Sequence, residues 1–578
     1  MIETDVLIVG CGPAGLTAAI GLAREGVRVI AITKYAQLAP TARAHCTNQR
    51  SFEIFRDFGI EAQAMASATP YTEMPNFTYL RSLSSDVEFA RLKGLQLDDE
   101  DNLNASPCTI ADLPQNLLEP ILLTAATQQG AQVRFQTELT TFDQNETGVT
   151  AVVRDLLTGQ DLTIRARYLI GADGGNSSVA KALELPFDGP GRLGGSLSIH
   201  FDCDLSEYTA YRPSHIFYIL RSSTDKGGPG LGLLICFRPW NTWQFIKGYT
   251  AGQETPHLTT TEAVDVIRDY LGIPEIEPKV TSIGKWDLNS LCASLYQRGR
   301  VFCMGDAVHR HVPSNGLGSN CAMQDAYNLA WKLALVLRDH AGAGLLESYS
   351  QERVPVGQQY VARATKSMQL HRPLLEAIGL ADPNRPEGDG DLARIAANST
   401  DGAARRRGIQ ETMHAKIHEV RARGLELNHV YQSVAVIDER QQPKDTGRDL
   451  ELYARATTCP GAHLPHAWVQ RSGHEVSTLD LVGQGRFTLL TGIGGDEWIG
   501  AAKAVAERFG LNIAAVKIGP GCEVTDLHHE WAERREIAEN GCLLVRPDAH
   551  IAWRRMSTDT DPEGALTDAV ARILDRQA

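Results

Sequence analysis

The sequence lacks the features of a membrane-spanning protein, of a nucleic-acid-binding protein and of a metal-binding protein. No apolar run is long enough to cross a bilayer, and a net charge of −14 gives no electrostatic support for nucleic-acid binding. The 11 cysteines are scattered without a Cys-x-x-Cys pair, which indicates reduced thiols rather than disulfides or a zinc site. Residues 1–5 lack the basic segment of a signal peptide. We therefore expect a cytoplasmic protein with no membrane, nucleic-acid or metal partner.

A glycine-rich turn stands between the first predicted strand, at residues 5–10, and the first predicted helix, at residues 14–26. A second strand is predicted over 27–32, so the three elements form one βαβ unit. The turn is Gly10-Cys11-Gly12-Pro13-Ala14-Gly15. Its first glycine permits a tight bend, its second lets the backbone approach a pyrophosphate, and its third allows close contact between helix and strand. This context favours a dinucleotide site over an ordinary glycine-rich turn.

The usual acidic partner of a dinucleotide ribose is missing at the end of the second strand. An Asp or Glu normally stands there and binds a ribose hydroxyl. Here the strand is followed by Thr33-Lys34-Tyr35. Lys34 or the backbone would therefore have to take over that contact.

Two further glycine–acid motifs lie far along the chain, Gly171-Ala172-Asp173-Gly174 and Gly305-Asp306. The second of them precedes a long helix predicted over 321–339. Between the two motifs, strand-like runs dominate from about residue 190 to 285. Three motifs in this order match a flavin-adenine-dinucleotide (FAD) site whose binding domain is interrupted by a substrate domain.

These motifs resemble those of the class A flavoprotein monooxygenases, the single-component aromatic hydroxylases. The most similar subgroup contains the chlorophenol hydroxylases, 2-hydroxybiphenyl 3-monooxygenases and phenol 2-monooxygenases. The segments that resemble this subgroup are Arg43-Ala44-His45, Asn48-Gln49-Arg50, Asp112-Leu113-Pro114-Gln115, Arg238-Pro239-Trp240-Asn241 and Gln324-Asp325-Ala326-Tyr327-Asn328-Leu329-Ala330-Trp331-Lys332. The chain departs from the family where an Arg usually follows the second motif, and it has Ser314-Asn315-Gly316 in place of Met-Gly-Gly.

The resemblance implies an α/β fold: a Rossmann-like FAD-binding domain interrupted by a β-rich substrate domain, with a thioredoxin-like domain at the C-terminus. The expected boundaries are 1–75, 105–185 and 285–370 for the FAD-binding domain, 76–104 and 186–284 for the substrate domain, 371–440 for a helical or loop linker, and 441–578 for the thioredoxin-like domain. Within the linker, the composition of 375–410 predicts a loop or loosely packed segment. The tail has no Cys-x-x-Cys, so we expect packing or dimer contacts from it rather than thiol–disulfide exchange.

By this resemblance FAD is the bound cofactor, and NADH or NADPH is a transient cosubstrate because no second dinucleotide fold is present. The nicotinamide nucleotide reduces FAD, O2 adds at flavin C4a, and the hydroperoxide transfers one oxygen to an electron-rich ring. The loop and helix after the third motif are expected to lie against the flavin ring. The expected FAD contacts are Gly10, Gly12, Pro13, Ala14, Gly15, Lys34, Arg43, Gln115, Asp173, Gly174, Gly305, Asp306, Pro313, Gly316, Gly318 and Asn320.

A phenol reacts faster as its phenolate, and a His near the hydroxyl is suited to accept that proton at neutral pH. The resemblance places His45 close to the substrate hydroxyl, and the alternative is a buried His bonded to backbone. Asp112 is either the partner of His45 or the N-cap of the next helix. Arg238 either faces the flavin and gates turnover or pairs with a carboxylate. His309 and His311 are interpreted as loop residues, because no third metal ligand is suggested nearby.

The leading hypothesis is FAD-dependent hydroxylation of a phenolic substrate by a protein expected to form a homodimer. A second hypothesis keeps the flavin chemistry but ends in Baeyer–Villiger insertion, epoxidation or oxidative decarboxylation. A third is a non-catalytic partner-binding protein on the same scaffold, like the Rab escort and GDP-dissociation inhibitor proteins. That protein would need neither Asp173-Gly174 nor a flavin-facing helix after Asp306, and the yellow colour of a purified flavoprotein would exclude it.

Overall fold

The computed structural model describes residues 1–94, 100–221, 231–250, 257–381, 390–437, 443 and 445–577. Its strands are β1 (Ile2–Val9), β2 (Val29–Ile32), β3 (Cys46–Thr47), β4 (Thr69–Pro70), β5 (Asn76–Leu80), β6 (Glu88–Lys93), β7 (Ala111–Asp112), β8 (Gln132–Arg134), β9 (Thr137–Asn145), β10 (Gly148–Asp155), β11 (Asp161–Gly171), β12 (Phe187–Asp202), β13 (Ser214–Leu220), β14 (Leu231–Arg238), β15 (Thr242–Thr250), β16 (Lys279–Ala293), β17 (Gln297–Arg298), β18 (Val301–Cys303), β19 (His309–Arg310), β20 (Trp468–Arg471), β21 (His474–Ser477), β22 (Phe487–Thr491), β23 (Ile513–Lys517), β24 (Val524–Thr525), β25 (Cys542–Val545) and β26 (Ile551–Arg555).

The helices are α1 (Pro13–Arg24), α2 (Gln49–Asp57), α3 (Glu61–Ser67), α4 (Glu100–Ala105), α5 (Gln115–Gln128), α6 (Ser178–Ala182), α7 (Ser206–Thr209), α8 (Thr260–Leu271), α9 (Gly318–Leu337), α10 (Glu347–Gln369), α11 (His371–Ile378), α12 (Gly390–Ala396), α13 (Thr400–Ala415), α14 (Ile417–Val420), α15 (Arg423–Leu427), α16 (Asp496–Phe509), α17 (Glu530–Arg534) and α18 (Pro562–Ile573). Short 3₁₀ turns lie at Gly305–Ala307, Ser314–Gly316, Ala343–Leu346 and Thr478–Leu481.

The first sheet explains why three distant motifs meet. Its order is β17-β18-β11-β1-β2-β8, and β9 and β10 extend it beside β11. Strands β2, β1, β11 and β18 all run parallel. Val9 pairs with Ile32 on one side and Gly171 on the other, and Gly171 in turn pairs with Cys303. The four strands therefore end at one level, and the loops that follow β1, β11 and β18 bring the three glycine motifs to a single edge of the sheet.

The β-rich part of the chain forms a second sheet of order β19-β16-β12-β15-β14-β13-β5-β6. Its longest strands, β12 and β16, pair antiparallel along most of their length. Buried side chains of this sheet, among them Trp243 and Phe245, pack with those of α8. Helix α8 begins at a Thr259–Glu262 capping box and ends at Gly272, which has φ 71°. The predicted α/β fold with its β-rich insertion is confirmed, and the exact domain boundaries stay predictions.

The prediction of a loop or loosely packed linker over 375–410 is wrong for the part that α12 and α13 occupy. Residues 382–389 of this segment lie outside the described part of the chain. Ser399 caps the N-terminus of α13. Ile409 of α13 is buried with Ile378 against the second sheet. Alanine and arginine favour a helix once one of its faces can be buried, and composition alone does not show that such a surface exists.

The tail is built around a sheet of order β23-β22-β25-β26, and its core is continuous with that of the FAD-binding domain. Trp331 of α9 meets Phe487 edge-on, with ring centroids 5.7 Å apart. Arg546 Nη1 donates to Glu352 Oε1 at 2.6 Å, and both side chains are fully buried. A buried ion pair and ring contact of this kind make the tail an integral part of the fold. Its thioredoxin-like character stays a prediction.

Candidate active site

The glycine turn after β1 and the peptide after β11 are packed directly against each other. Gly10 has φ +111°, and a Cβ there would lie 2.1 Å from Ala172 O. A Cβ at Gly15 would lie 2.0 Å from Gly10 O. At Gly12, in contrast, the nearest atom to such a Cβ is Glu119 Oε1 at 3.8 Å. The Gly12 peptide therefore faces open space at the N-terminus of α1, where a phosphate group can approach backbone N–H groups.

A cavity of about 1370 Å³ extends from this edge of the first sheet to the second sheet. It is larger than the ~300–1,000 Å³ of most small-molecule pockets, which suits a dinucleotide together with a substrate. The predicted site residues that line it are Gly10, Gly12, Pro13, Ala14, Lys34, Arg43, His45, Gln115, Asp173, Gly174, Gly305, Asp306, Pro313, Gly316 and Gly318. The other two predicted FAD contacts, Gly15 and Asn320, do not line the cavity but pack against residues that do. Gly15 packs on Gly10, and Asn320 Nδ2 donates to Cys46 O and Gly316 O at 2.8 and 2.7 Å.

An acidic side chain does reach this part of the cavity, although none follows β2. Glu119 of α5 lines the cavity, and its Oε1 accepts from Gln115 Nε2 at 2.6 Å. Its Oε2 accepts from the backbone N of Ala39 at 2.7 Å. Burial raises the pKa of Glu119 above its usual value. No motif in the sequence marks this residue, because its place in the cavity depends on how α5 packs.

Gly305 and Asp306 form a 3₁₀ turn that contributes to the cavity wall. Gly305 has φ +61°, and its N–H donates to Asp325 Oδ2 at 3.0 Å. The same carboxylate accepts from Arg353 Nε at 2.7 Å and lies 2.8 Å from His309 Nε2. The side chains of Asp325, Arg353 and His309 are fully buried. A buried ion cluster therefore holds the turn that presents Asp306 to the cavity.

The interpretation of His309 as a loop residue is wrong. It lies in β19 with a fully buried side chain, and its carboxylate partner is 16 residues away on α9. Burial alone would lower the pKa of His309, but the neighbouring Cys321 and Asp325 raise it well above the usual value. His311 lies at the cavity wall with its Nδ1 2.7 Å from Val312 O.

A two-residue strand pair brings His45 and Asp112 together. β3 and β7 pair antiparallel with Cys46 opposite Asp112, and Leu113 N donates to His45 O at 2.7 Å. His45 Nδ1 lies 2.7 Å from Asp112 Oδ2. His45 belongs to the cavity wall, whereas Asp112 is fully buried behind it. Asp112 does not cap α5, because the N-cap residue of that helix is Pro114.

The second sheet adds a third member to this pair. His215 of β13 has its Nε2 3.0 Å from the same Asp112 Oδ2, although 103 residues separate the two in sequence. Burial alone would raise the pKa of Asp112, but its interactions with His45 and His215, among them a hydrogen bond from each, hold it below its usual value. No spacing pattern marks His215. Its one sign in the sequence is a titratable residue near the start of a strand that is mostly apolar.

Arg238 is not among the residues that line the cavity. It ends β14, where its Nη1 donates to Thr69 Oγ1 at 2.8 Å and its Nη2 donates to Ser67 O at 2.6 Å. These bonds join the second sheet to the end of α3 and the start of β4. A role for Arg238 in gating the flavin stays a prediction.

Comparison with known families decides the class of this protein. The FAD binding domain family matches residues 3–364, and the family described as aromatic-ring hydroxylase, C-terminal, matches residues 457–577. The chain belongs to the FAD-binding aromatic-ring hydroxylases. The resemblance drawn from the motifs is confirmed over both the FAD-binding part and the tail.

The same hydroxylase is similar to enzymes of known activity along its whole length. It is 43% identical to 2,4-dichlorophenol 6-monooxygenase of Cupriavidus pinatubonensis (strain JMP 134 / LMG 1197), over 100% of this chain and 97% of that protein. It is 42% identical to phenol 2-monooxygenase of Pseudomonas sp. (strain EST1001), over 99% of this chain and 93% of that protein. Among solved structures, the flavin-dependent monooxygenase PieE in complex with FAD and substrate matches with a TM-score of 0.95, 38% identity and full coverage of both chains.

These findings establish an FAD-dependent aromatic monooxygenase that uses NAD(P)H and O2. The predicted cofactor and enzyme class are confirmed. The hypothesis of a non-catalytic partner-binding protein is not favoured, because the relatives are monooxygenases over their full length. Within the described residues, no helix has both the length and the apolar character that crossing a bilayer requires.

We expect Gly12→Ala to weaken FAD binding without unfolding the protein. The new methyl group meets no protein atom closer than 3.8 Å, but it occupies the space through which a pyrophosphate reaches the backbone. The dissociation constant of FAD, measured by fluorescence titration of the apoprotein, should rise at least about tenfold. Gly10→Ala is the matched control, because its methyl would lie 2.1 Å from Ala172 O and should disrupt the fold itself. Unchanged FAD affinity in Gly12→Ala would contradict a phosphate site at this turn.

Proposed function

We propose that this hydroxylase adds an oxygen atom to a phenol at the carbon next to the existing hydroxyl, with His45 as the base that removes the phenol proton. The observation that carries the proposal is the place of His45 at the cavity wall, with its Nδ1 held by the buried Asp112. The two phenolic relatives act at carbon 6 of 2,4-dichlorophenol and at carbon 2 of phenol. Both carbons neighbour the hydroxyl, which supports the same position for this chain.

Asp112 determines which nitrogen of His45 is basic. Because Nδ1 lies 2.7 Å from an ionised carboxylate, it carries the hydrogen and donates it to Asp112. The lone pair is then on Nε2, the nitrogen left for a ligand in the cavity. When Nε2 takes the phenol proton, the ring becomes a cation, and the buried Asp112 carboxylate balances that charge. The phenolate that results is richer in electrons at the carbons next to its oxygen and reacts faster with an electrophilic oxygen.

An apolar group beside His45 supports a binding surface for the substrate ring. The group consists of Ala42, Ile235, Phe237 and Ile246, with Trp286 packed against it. Phe237 meets the His45 ring nearly edge-on, with centroids 5.2 Å apart, and Trp286 reaches the cavity wall. Of the residues in this group only Trp286 lines the cavity, and the other four are buried behind the wall. An aromatic ring bound against Trp286 would gain apolar burial and a ring contact while its hydroxyl faces His45.

FAD supplies the oxygen-transfer chemistry once NAD(P)H has reduced it and O2 has reacted with it. We assign the chain the tasks of binding the cofactor, orienting it and excluding water. The glycine turn at 10–15 and the α1 N-terminus would bind the pyrophosphate, and Asp306 the ribityl chain. Arg43, Gln115 and Asp173-Gly174 would contact the rest of the cofactor. Helix α9 begins at Gly318 in the cavity wall, and the partial positive charge of its N-terminus would stabilise a reduced flavin ring bound there.

The test is a product assay with the FAD-loaded protein, phenol or 2,4-dichlorophenol, NADH or NADPH, and ¹⁸O₂. Hydroxylation gives a catechol that contains one ¹⁸O atom for each NAD(P)H consumed, with little hydrogen peroxide. A lactone, an epoxide or released CO₂ would instead indicate Baeyer–Villiger insertion, epoxidation or oxidative decarboxylation. If the rate of NAD(P)H oxidation is the same with and without the phenol and the product is hydrogen peroxide alone, the assignment of a phenol as substrate is overturned.

We also propose a cytoplasmic homodimer with the domain boundaries predicted above. All 11 cysteines are free thiols in the structure, which suits a reducing compartment. Light scattering of the full chain should give a mass of twice 63.1 kDa. A mass of a single chain at micromolar concentration would exclude the dimer.

A further inference from the structure

We infer that His215 is a positioning residue for this hydroxylation: from the second sheet it holds the Asp112 carboxylate and so sets how tightly the His45–Asp112 pair retains a proton. The inference rests on the proposed role of His45 as the base. It concerns a residue that does not touch the cavity and acts only through Asp112.

The buried surroundings of His215 allow its ring one hydrogen bond, which it donates to Asp112. Its side chain is 3% exposed and that of Asp112 is 0% exposed, with His215 Nε2 3.0 Å from Asp112 Oδ2. Three rings hold the imidazole in place: those of His45, Tyr71 and Phe77, at centroid distances of 5.0, 4.8 and 5.8 Å. Its Nδ1 is buried without a hydrogen-bond partner among the described residues. The ring hydrogen therefore belongs on Nε2, where it is donated to the carboxylate.

His215 makes this donation as a neutral ring. Burial lowers the pKa of His215 and outweighs the opposing effect of Asp112. Asp112 thus receives one hydrogen bond from a residue that stays neutral and one from His45, which gains and loses its proton during turnover. A hydrogen bond to the ionised form of an acid favours that form. The bond from His215 therefore makes the pair release its proton at a lower pH than it otherwise would.

Other titratable groups also face this cluster. Tyr71 OH lies 3.4 Å from Asp112 Oδ2, and the thiols of Cys46 and Cys236 interact with the same carboxylate from β3 and β14. Burial raises the pKa of all three groups, so they remain neutral near pH 7. His200, near His45, is neutral as well because burial lowers its pKa to about 4.

Two charged groups complete the surroundings. Arg43 is a cation that lines the cavity as His45 does, and the charges of both residues act on His200. Glu426 of α15 lies behind Cys46, and burial raises its pKa to about 7. Because the pKa of Glu426 lies near neutrality, Glu426→Gln is a necessary control in any pH experiment on this cluster.

The experiment is the pH profile of kcat/KM with phenol, whose own hydroxyl ionises near pH 10 as that of tyrosine does. His215→Leu removes the donor, and His215→Gln is the matched control because its side-chain N–H can occupy the Nε2 position. We expect the ascending limb of the profile to move up by about one pH unit in His215→Leu, with a roughly tenfold lower rate below that limb. The shift has the same sign whether the shared proton resides on His45 or on Asp112, because the lost bond favoured the deprotonated pair. His215→Gln should keep the limb close to its original place.

The outcomes separate this inference from the role of His45. An ascending limb that persists at its wild-type pH in His45→Asn, well below the ionisation of phenol itself, would overturn the proposal that His45 is the base. If the limb disappears in His45→Asn, His45 is the base, and two further results would still overturn the role of His215. The first is a limb that stays unmoved in His215→Leu. The second is a limb that moves equally in His215→Leu and His215→Gln. A limb that disappears in Glu426→Gln would assign the titration to Glu426 and would also overturn it. If His215→Leu does not retain FAD, Tyr71→Phe is the second variant, because it removes the longer hydrogen bond to the same Asp112 oxygen. We expect it to move the ascending limb upward by less than His215→Leu would. An unmoved limb in Tyr71→Phe would count against the inference.

Discussion

Replacing His45 with Asn should lower kcat/KM for phenol at pH 7 by about 10²–10⁴-fold while FAD stays bound. Asn can place an N–H near the position of His45 Nδ1, so the hydrogen bond to Asp112, 2.7 Å in the structure, is retained. It offers no basic nitrogen in place of Nε2, so the substrate stays a neutral phenol. The measurement is catechol formed for each NAD(P)H consumed, together with the flavin absorbance of the purified variant.

The pH dependence and a second variant make this result specific to proton removal. Raising the pH toward the ionisation of phenol itself should restore part of the rate in His45→Asn, because the substrate then arrives as phenolate. His45→Ala should lose stability as well as rate, because it leaves the buried Asp112 with one hydrogen bond fewer. If the Asn variant stayed within about threefold of the wild-type rate at pH 7, less than general-base catalysis typically contributes, another group would be the base.

We expect Asp325→Ala to destabilise the holoprotein by about 3–5 kcal/mol and to release its FAD. The Asp325 carboxylate holds Arg353 Nε at 2.7 Å and Gly305 N at 3.0 Å, and it lies 2.8 Å from His309 Nε2. Removing it leaves a buried guanidinium without its carboxylate and frees the turn that presents Asp306 to the cavity. Urea unfolding followed by circular dichroism measures the first effect, and flavin fluorescence measures the second.

A double variant separates the buried charge from the loss of volume. In Asp325→Ala/Arg353→Met neither charge is buried alone, so part of the stability should return relative to Asp325→Ala. Asp325→Asn is the second control, because it keeps an acceptor for Gly305 N while losing the negative charge. A stability of Asp325→Ala within about 1 kcal/mol of wild type, the range of ordinary substitutions, would show that the cluster does not hold the turn.

Much of the cofactor site could be predicted because its requirements are local. A tight turn with φ +111° at Gly10 and an open peptide at Gly12 each depend on one residue and its neighbours. The spacing of three such turns along the chain then indicates one site, because parallel strands carry their C-terminal ends to the same edge. The family resemblance added His45 and Asp112, which the structure places 2.7 Å apart.

Other features left no local pattern. Glu119 reaches the cavity from α5, and His215 reaches Asp112 across 103 residues. The sequence suggests no partner near His309 and so predicts a loop residue, since Asp325 lies on a different element. The composition of 375–410 predicts a loop or loosely packed segment and cannot show that the second sheet buries Ile409 of α13. In each case the missing information is the identity of the packing partner.

The sequence by itself determined the class of fold, the place of the three glycine motifs and the kind of cofactor, since backbone conformation and helix N-termini are set within a few residues. Tertiary structure alone decided which ionisable side chains contact one another and therefore which of them are charged. The order of strands in the second sheet places His215 behind Asp112. Burial then makes His215 neutral, whereas the interactions with His45 and His215 keep Asp112 ionised against the effect of burial. Proton affinity depends on desolvation and on neighbours brought from distant parts of the chain, so it can be read only from the folded molecule.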